Sequence, residues 1–257
     1  MGEQKLDNLR KILRDMKSVL VAYSGGVDSS FLIKLASDEL GKKAVAATAV
    51  SEVYLEDDYK RAKRLVKELG IRHLVFRVKV LRVKSFTDNG KDRCYLCKKK
   101  IFGELNKIAC LKRIDWVIDG TNLDDEIEFR PGRQAARELG VRSPLDEAGF
   151  KKEEIRYLSR KMGLFTWDQP TSTCLATRLF YGEKITLDKL KMIRRGERFI
   201  KKGLGIKDLR LRWLKGGIAG IELTEDDRKK LAAPALKQKV VTRLKKIGYL
   251  DVTFGVR

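Results

Sequence analysis

The first part of the chain alternates short apolar runs with longer segments whose apolar residues recur every three or four positions. The apolar runs predict strands and the amphipathic segments predict helices. Strands are predicted over 19–23, 44–50, 73–78 and 116–119, and helices over 5–16, 29–40, 55–69, 132–139 and 152–162. This alternation indicates an α/β fold, with a parallel twisted sheet and helices on both faces.

The pattern changes after about residue 180. The elements predicted there are a helix over 186–202, two strands around a Gly216-Gly217 turn, a helix over 226–247 and a strand over 249–254. We therefore expect an α/β domain over 1–168 and a small α+β domain over 186–257. Between them we expect an ordered connector over 169–185, which carries Cys174 and Arg178.

Charge is the one unusual feature of the composition. The 257 residues include 57 Lys and Arg against 35 Asp and Glu, a formal net charge of +22. Such a surface attracts polyanions such as tRNA, but a surface rich in Lys, Arg and Glu is also typical of proteins from hot environments. We find no run of 18 apolar residues and no signal-like start, so we expect a cytoplasmic protein with no membrane partner.

A glycine-rich turn follows the first predicted strand. Its candidate residues are Ser24, Gly25, Gly26, Asp28 and Ser29. Two glycines let backbone N–H groups close around an anion, and the helix that follows adds its unpaired amides. The turn lacks the Lys-Ser/Thr ending of a Walker P-loop. The pattern S-G-G-x-D-S resembles instead the PP-loop of the ATP pyrophosphatases, which implies binding of ATP with Mg²⁺ and cleavage between the α and β phosphates.

A second strand end is rich in oxygen donors. Its candidate residues are Gly120, Thr121, Asn122, Asp124 and Asp125. The two carboxylates could meet a Mg²⁺ that bridges ATP phosphates, or they could cap a helix. Arg130 and Arg133 follow, and their forked guanidinium groups match a phosphate or a carboxylate, although either could be solvated.

Cysteines give the second chemical signal. Cys94 and Cys97 form a C-x-x-C pair, Cys174 lies far from them, and the chain has one histidine. Three thiolates can hold an iron-sulfur cluster with one open iron, or a zinc ion with one exchangeable site. The alternative is that the pair consists of unrelated surface thiols and Cys174 works alone. Cys110 is predicted to lie on a helix with its side chain in the hydrophobic core.

The sequence around Cys174 resembles the LarE family of ATP-dependent sulfur transferases. With the PP-loop, the resemblance covers most of residues 19–225. It is carried by 170–178, Tyr181, Gly182, Ile185 and Thr186, and upstream by 130–132, 135–145, Gly163, Leu164 and Trp167.

This resemblance implies a role in synthesis of the nickel-pincer nucleotide cofactor. The family adenylylates carboxylates of a pyridinium biscarboxylic acid mononucleotide and converts them to thiocarboxylates. In one branch the cysteine matching Cys174 gives up its own sulfur. In another, cysteines matching Cys94, Cys97 and Cys174 hold a [4Fe-4S] cluster that carries sulfide from a donor. The C-x-x-C pair favours the second branch.

The resemblance also extends into the smaller domain. Glu197, Arg210, Arg212 and Glu222 match family positions associated with metal or substrate phosphate, although each could be an exposed charge. The family further suggests a homo-oligomer.

The expected reaction begins with attack of a carboxylate on the α phosphorus of ATP, with Asp28 near the metal and Arg178 steadying the phosphate or the developing charge. Sulfur from the cluster or from the Cys174 thiolate then displaces AMP. The leading alternative is a tRNA thiolase, which the net charge of +22 supports. An amide-forming enzyme similar to the NAD or GMP synthetases and a non-enzymatic ATP-binding module are further alternatives.

Overall fold

The structure, a computed structural model, describes residues 2–126, 131–170, 172–206 and 208–256. Its strands are β1 Val19–Ala22, β2 Ala44–Val50, β3 Arg72–Arg77, β4 Trp116–Ile118, β5 Leu209–Leu214, β6 Ile218–Leu223 and β7 Asp251–Val256. Its α-helices are α1 Gly2–Asp15, α2 Val27–Leu40, α3 Glu56–Glu68, α4 Lys84–Thr87, α5 Arg93–Lys112, α6 Pro131–Glu138, α7 Pro144–Glu147, α8 Lys152–Lys161, α9 Leu187–Leu204, α10 Glu225–Lys230 and α11 Pro234–Ile247. Short 3₁₀ helices cover Gly41–Lys43, Val80–Arg82, Leu123–Glu126 and Leu175–Arg178.

The chain divides into two units, and neither is continuous in sequence. The first comprises Met1–Ser51, Glu56–Val80 and Asp92–Ser172. The second comprises Glu52–Leu55, Leu81–Lys91 and Thr173–Arg257. The segments over 52–55 and 81–91 therefore belong with the C-terminal part of the chain.

The first unit is built on a four-stranded parallel sheet in the order β3-β2-β1-β4. In β1, Val19 and Val21 pack into a core with Leu9 and Phe31 from α1 and α2. Leu20, which points to the opposite face, is also fully buried, and α5 packs against β1 and β4. Both faces of the sheet are thus covered by helices, which confirms the predicted α/β fold.

The second unit contains a three-stranded sheet in the order β5-β6-β7, antiparallel between β5 and β6 and parallel between β6 and β7. Leu211 and Ile221 pack with Val240 and Leu244 of α11 in its core. The predicted small α+β unit is therefore present. The single helix predicted over 226–247 is wrong, because α10 and α11 are separate and Pro234 begins the second one.

Backbone hydrogen bonds tie the early segments into the second unit. The Leu175 N–H donates to the Val53 carbonyl over 2.7 Å, and the Ile185 N–H donates to the Thr87 carbonyl over 2.8 Å. Asn89 is fully buried with a φ of 59°, and its side-chain amide donates to the carbonyl of Phe180 over 2.7 Å. The segment that carries Cys174 and Arg178 thus rests on chain that precedes it by about a hundred residues.

Two expectations made from the sequence change here. Cys110 is exposed, so its predicted core position is wrong: the buried face of α5 runs through Ile101, Leu105 and Ala109, and Cys110 points away from it. In the part of the chain that the structure describes, no helix is long and apolar enough to cross a membrane.

Candidate active site

The glycine turn joins β1 to α2, and its conformation requires glycine at residue 25. Gly25 has a φ of +76°, and a Cβ there would lie 2.7 Å from the Cβ of Ala62 in α3. The Gly26 N–H donates to the Ser24 Oγ over 3.3 Å, and the hydroxyls of Ser24 and Ser29 lie 3.1 Å apart. The turn is therefore a closely packed loop held by its own serines.

The first turn of α2 leaves amides available to a ligand. Gly26 is the N-cap and supplies no side chain, and the Ser30 N–H is bonded to the Gly26 carbonyl over 3.0 Å. The N–H groups of Val27, Asp28 and Ser29 precede it and have no i−4 carbonyl within α2, although the Asp28 N–H also donates to its own carboxylate. Together with the positive end of the helix dipole, they form a site that favours an anionic group such as a phosphate.

Asp28 lies in this turn and forms an ion pair with Lys152, the first residue of α8. The other carboxylate oxygen, Oδ1, is buried and has no hydrogen-bond partner in the described part of the chain. Burial raises the pKa of Asp28; Lys152 acts to lower it and the Asp125 carboxylate to raise it. An orphaned carboxylate oxygen beside a phosphate cradle suits a Mg²⁺ that is held by one or two carboxylates together with phosphates.

Lys152 is a site residue that sequence reasoning missed. Its partner Asp28 lies 124 positions away, and α8 as a whole shows only an ordinary amphipathic pattern. The Lys152 backbone N–H donates to the Asp124 Oδ2 over 2.7 Å. Only the tertiary fold brings these three residues together.

The end of β4 approaches the same turn, because Gly120 has no side chain. A Cβ at Gly120 would lie 2.9 Å from the backbone nitrogen of Ser29 and 3.3 Å from the carbonyl carbon of Asp28. The two strand ends singled out in the sequence are therefore neighbours in the fold, as is expected for the carboxyl ends of adjacent parallel strands.

The acidic segment after β4 is organised by its own hydrogen bonds. Asp119 is buried, and its carboxylate accepts from the Thr121 N–H over 3.1 Å and from the Ser143 hydroxyl over 2.8 Å. Asp125 Oδ2 accepts from the Asn122 N–H over 3.1 Å, and Asp124 caps the start of α8. The capping role weighed for Asp124 is thus present, and it occupies one of its oxygens.

Arg133 is anchored within the first unit. Its guanidinium donates to the Asp146 Oδ2 over 2.7 Å, and both side chains are mostly buried. Arg130 lies outside the described residues.

The three cysteines predicted to share a cluster belong to different units. Cys94 and Cys97 lie in the first two turns of α5, three residues apart and so on one side of the helix. Cys174, in the second unit, is the N-cap of a 3₁₀ helix, and its carbonyl accepts from the Thr177 hydroxyl over 2.7 Å. Among the residues that the structure describes, no group of three or more His, Cys, Asp or Glu side chains is arranged to hold a metal ion.

Arg178 and Glu197 form a buried ion pair behind the Cys174 segment. Their side chains are 4% and 2% exposed, and the Arg178 Nε donates to Glu197 Oε1 over 2.7 Å. Arg178 Nη1 also donates to the hydroxyls of Thr173 and Thr177, at 2.5 and 3.0 Å. Arg178 therefore holds the residues on both sides of Cys174, and the interpretation of Glu197 as an exposed charge is wrong.

Further polar groups lie around the Glu197 carboxylate. Glu197 Oε1 accepts from the Leu211 N–H over 3.2 Å, while Oε2 is buried, has no hydrogen-bond partner in the described chain, and forms an ion pair with the Lys201 ammonium over 3.8 Å. Burial and the Glu197 carboxylate raise the pKa of Tyr249 above its usual range. Glu197 and Tyr249 are thus two buried ionisable groups in the second unit.

Glu222 is also paired. Its carboxylate accepts from the Arg212 Nε over 2.9 Å, and the Arg212 Nη1 donates to the Thr177 carbonyl over 2.6 Å. Arg212 thus links β6 to the 3₁₀ helix that follows Cys174. The ion pair occupies Oε1 of Glu222, and the side chain is 30% exposed.

The sheet order and the glycine loop define an ATP pyrophosphatase of the PP-loop class. In agreement, the sequence model of the NAD synthase family matches residues 3–104. A GMP synthase of Lactobacillus acidophilus is 29% identical over 77% of this chain and 42% of its own length.

Two relatives match at greater length. The pyridinium-3,5-bisthiocarboxylic acid mononucleotide synthase of Lactiplantibacillus plantarum is 35% identical over 83% of this chain and 77% of its own. An uncharacterised protein of Synechocystis is 38% identical over 100% of this chain and 95% of its own. The chain belongs to the LarE family of ATP-dependent sulfur transferases.

Proposed function

We propose that the protein uses ATP to activate carboxylates of pyridinium-3,5-biscarboxylic acid mononucleotide and replaces a carboxylate oxygen with sulfur. One observation supports this most directly: the similarity to the synthase of L. plantarum, at 35% identity, extends over 83% of this chain. The loop geometry supplies a reason, because it offers donors to a polyphosphate and a carboxylate to its metal.

ATP is needed because a carboxylate is a poor acyl donor. A carboxylate oxygen attacks the α phosphorus, the bond to the bridging oxygen breaks, and pyrophosphate leaves with that electron pair. The amides after Gly26, with Ser24 and Ser29, hold the departing phosphates, and Asp28 would hold Mg²⁺, which neutralises their charge. The product of this step is an acyl adenylate.

Sulfur then displaces AMP. A cysteine thiolate attacks the acyl carbon and the C–O bond to AMP breaks, which gives AMP and a thioester with the protein. Loss of the Cα proton of that cysteine to a base then breaks its Cβ–Sγ bond, so that the acid leaves as a thiocarboxylate and the residue becomes dehydroalanine. We assign this role to Cys174, whose segment Arg178 holds in place. The [4Fe-4S] cluster on Cys94, Cys97 and Cys174, reloaded by sulfide or another donor, stays a prediction, and no step here runs through it. A homo-oligomer also stays a prediction.

A tRNA thiolase is the second candidate, because the net charge of +22 favours a polyanionic substrate. A filter-binding assay with tRNA over a range of salt concentrations separates the two. Tight binding to tRNA, together with AMP release that depends on tRNA, would favour the thiolase.

The test of the main proposal uses purified protein with ATP, Mg²⁺ and the pyridinium acid. AMP, pyrophosphate and a thiocarboxylate detected by mass spectrometry are expected. Asp28→Asn is expected to abolish AMP release, whereas Asp38→Asn, on the exposed side of the same helix, leaves it unchanged. Release of ADP, or of no product, contradicts the proposal.

A further inference from the structure

The carboxylate that would hold Mg²⁺, Asp28, already has a cation beside it in this structure. Oδ2 is paired with the Lys152 ammonium, and Oδ1 is buried away from solvent with no hydrogen-bond partner in the described chain. A carboxylate that is to ligate Mg²⁺ must offer an oxygen directly to the ion. A Mg²⁺ ion on Oδ1 would share this carboxylate with the Lys152 ammonium on Oδ2, so the two cations would repel each other and compete for Asp28.

The ammonium group of Lys152 can move while the backbone of this residue stays fixed. Its N–H is held by Asp124 over 2.7 Å at the start of α8, and α8 packs against α2. The side chain is 29% exposed, and its four methylene groups allow the ammonium to swing about the fixed backbone. The glycine loop that precedes Asp28 lies within the same unit.

The charges favour such a movement when nucleotide binds. Without ligand, the Lys152 ammonium balances the Asp28 carboxylate, to which the Asp125 carboxylate adds negative charge. A divalent cation competes with the ammonium for Asp28. The triphosphate that arrives with the cation offers the ammonium a more highly charged partner.

We propose that Lys152 occupies Asp28 as a resident cation until Mg²⁺ arrives with ATP, and that its ammonium then moves to the phosphates. This inference rests on the use of ATP in the proposed function and adds a phosphate-binding lysine to it. It has a specific consequence: in the absence of metal, Asp28 and the phosphates of ATP compete for the same ammonium.

This competition predicts that removing the Asp28 carboxylate and removing the Lys152 ammonium have opposite effects on the affinity for metal-free ATP. Asp28→Asn releases Lys152 and removes a negative charge, so the protein should bind metal-free ATP about threefold more tightly or better. Lys152→Met removes the phosphate partner and should weaken binding about tenfold or more. In the double variant the gain from Asp28→Asn should disappear.

The experiment is isothermal titration calorimetry of the full chain with ATP, once in EDTA and once in excess Mg²⁺. Lys151→Met is the matched control, since Lys151 is the exposed neighbour of Lys152, and its ATP affinity should equal that of the wild type. Thermal melting verifies that each variant is folded. Lys152→Gln, which keeps a donor for Asp28, replaces Lys152→Met if the latter is unstable.

The inference is overturned if Asp28→Asn weakens binding of metal-free ATP, or if its gain persists when Lys152 is also replaced. A merely structural ion pair would give losses for both single variants. These measurements need neither the pyridinium acid nor sulfur. If the wild-type protein does not bind ATP at all, that result would instead contradict the proposed function itself.

Discussion

Replacing Gly120 with alanine tests whether the close approach of two strand ends builds the ATP site. The added Cβ would lie 2.9 Å from the Ser29 nitrogen, 3.2 Å from the Ser29 Cα and 3.3 Å from the Asp28 carbonyl carbon. All three are backbone atoms, so no side chain can rotate away. Gly120 does not have a positive φ, and the cost of the substitution is therefore one of contact alone.

The size of the effect follows from these distances. Relief of the contact requires the end of β4 and the first turn of α2 to separate by about half an ångström, and overpacking of this kind costs about 1–3 kcal/mol of the free energy of unfolding. The same displacement moves the amides of Asp28 and Ser29 that are proposed to hold phosphates. Loss of one or two charge-assisted hydrogen bonds predicts ATP binding weaker by about tenfold or more.

Gly103→Ala is the matched control, because a Cβ at Gly103, inside α5, would meet no atom within 4 Å. It should stabilise the protein by about 0.5–1 kcal/mol through helix propensity and leave ATP affinity unchanged. Urea unfolding and calorimetry measure the two quantities. Wild-type ATP affinity and stability in Gly120→Ala would refute the reasoning.

Three further changes have expected outcomes. His73 is the single histidine, and burial, followed by the positive charge of Lys63, lowers its pKa below 6.5. Its NMR titration should therefore have a midpoint below 6.5. The stability that His73 contributes is full above pH 6.5 and should fall as the pH drops towards the pKa of the folded state, and H73Q should not show this fall. Arg178→Met should cost up to about 3–5 kcal/mol in urea unfolding, because it leaves the buried Glu197 carboxylate with only the more distant Lys201 ammonium, 3.8 Å from Oε2, as an ion-pair partner. A loss below about 1 kcal/mol would contradict that view of the pair. Anaerobically purified protein should be brown and absorb near about 400 nm if the predicted cluster forms, and C94S but not C110S should remove the colour; colourless wild-type protein would count against the cluster.

Local sequence patterns were sufficient for the sheet and for the glycine loop. Strand β2 was predicted with its observed bounds, 44–50, because a short apolar run between helices has few other interpretations. The prediction of one helix over 226–247 was wrong because it gave too little weight to Pro234. The fixed φ and the missing N–H of proline suit the start of a helix. The predicted core position of Cys110 was wrong because its spacing from Ile101 and Leu105 does not place it on the buried side of α5.

The partners of charged side chains were beyond the reach of sequence reasoning. The family resemblance singles out Arg178 and Glu197 in the sequence, but nothing there indicates that they pair, and the pairing follows only from how α9 packs against β5 and the 3₁₀ helix. The same holds for Lys152 and Asp28, which are 124 positions apart. Patterns of period two or 3.6 carry information about faces, but not about which distant charge meets which.

The discontinuous second unit has a consequence for synthesis on the ribosome. Its segments Glu52–Leu55 and Leu81–Lys91 emerge long before Thr173–Arg257, on which they depend for hydrogen bonds such as that from Ile185 to Thr87. The nascent chain must therefore carry two unfinished pieces through the folding of the parallel sheet. A fragment that starts at residue 173 would lack Asn89 and Val53, so the Cys174 segment could not reach its native conformation in isolation.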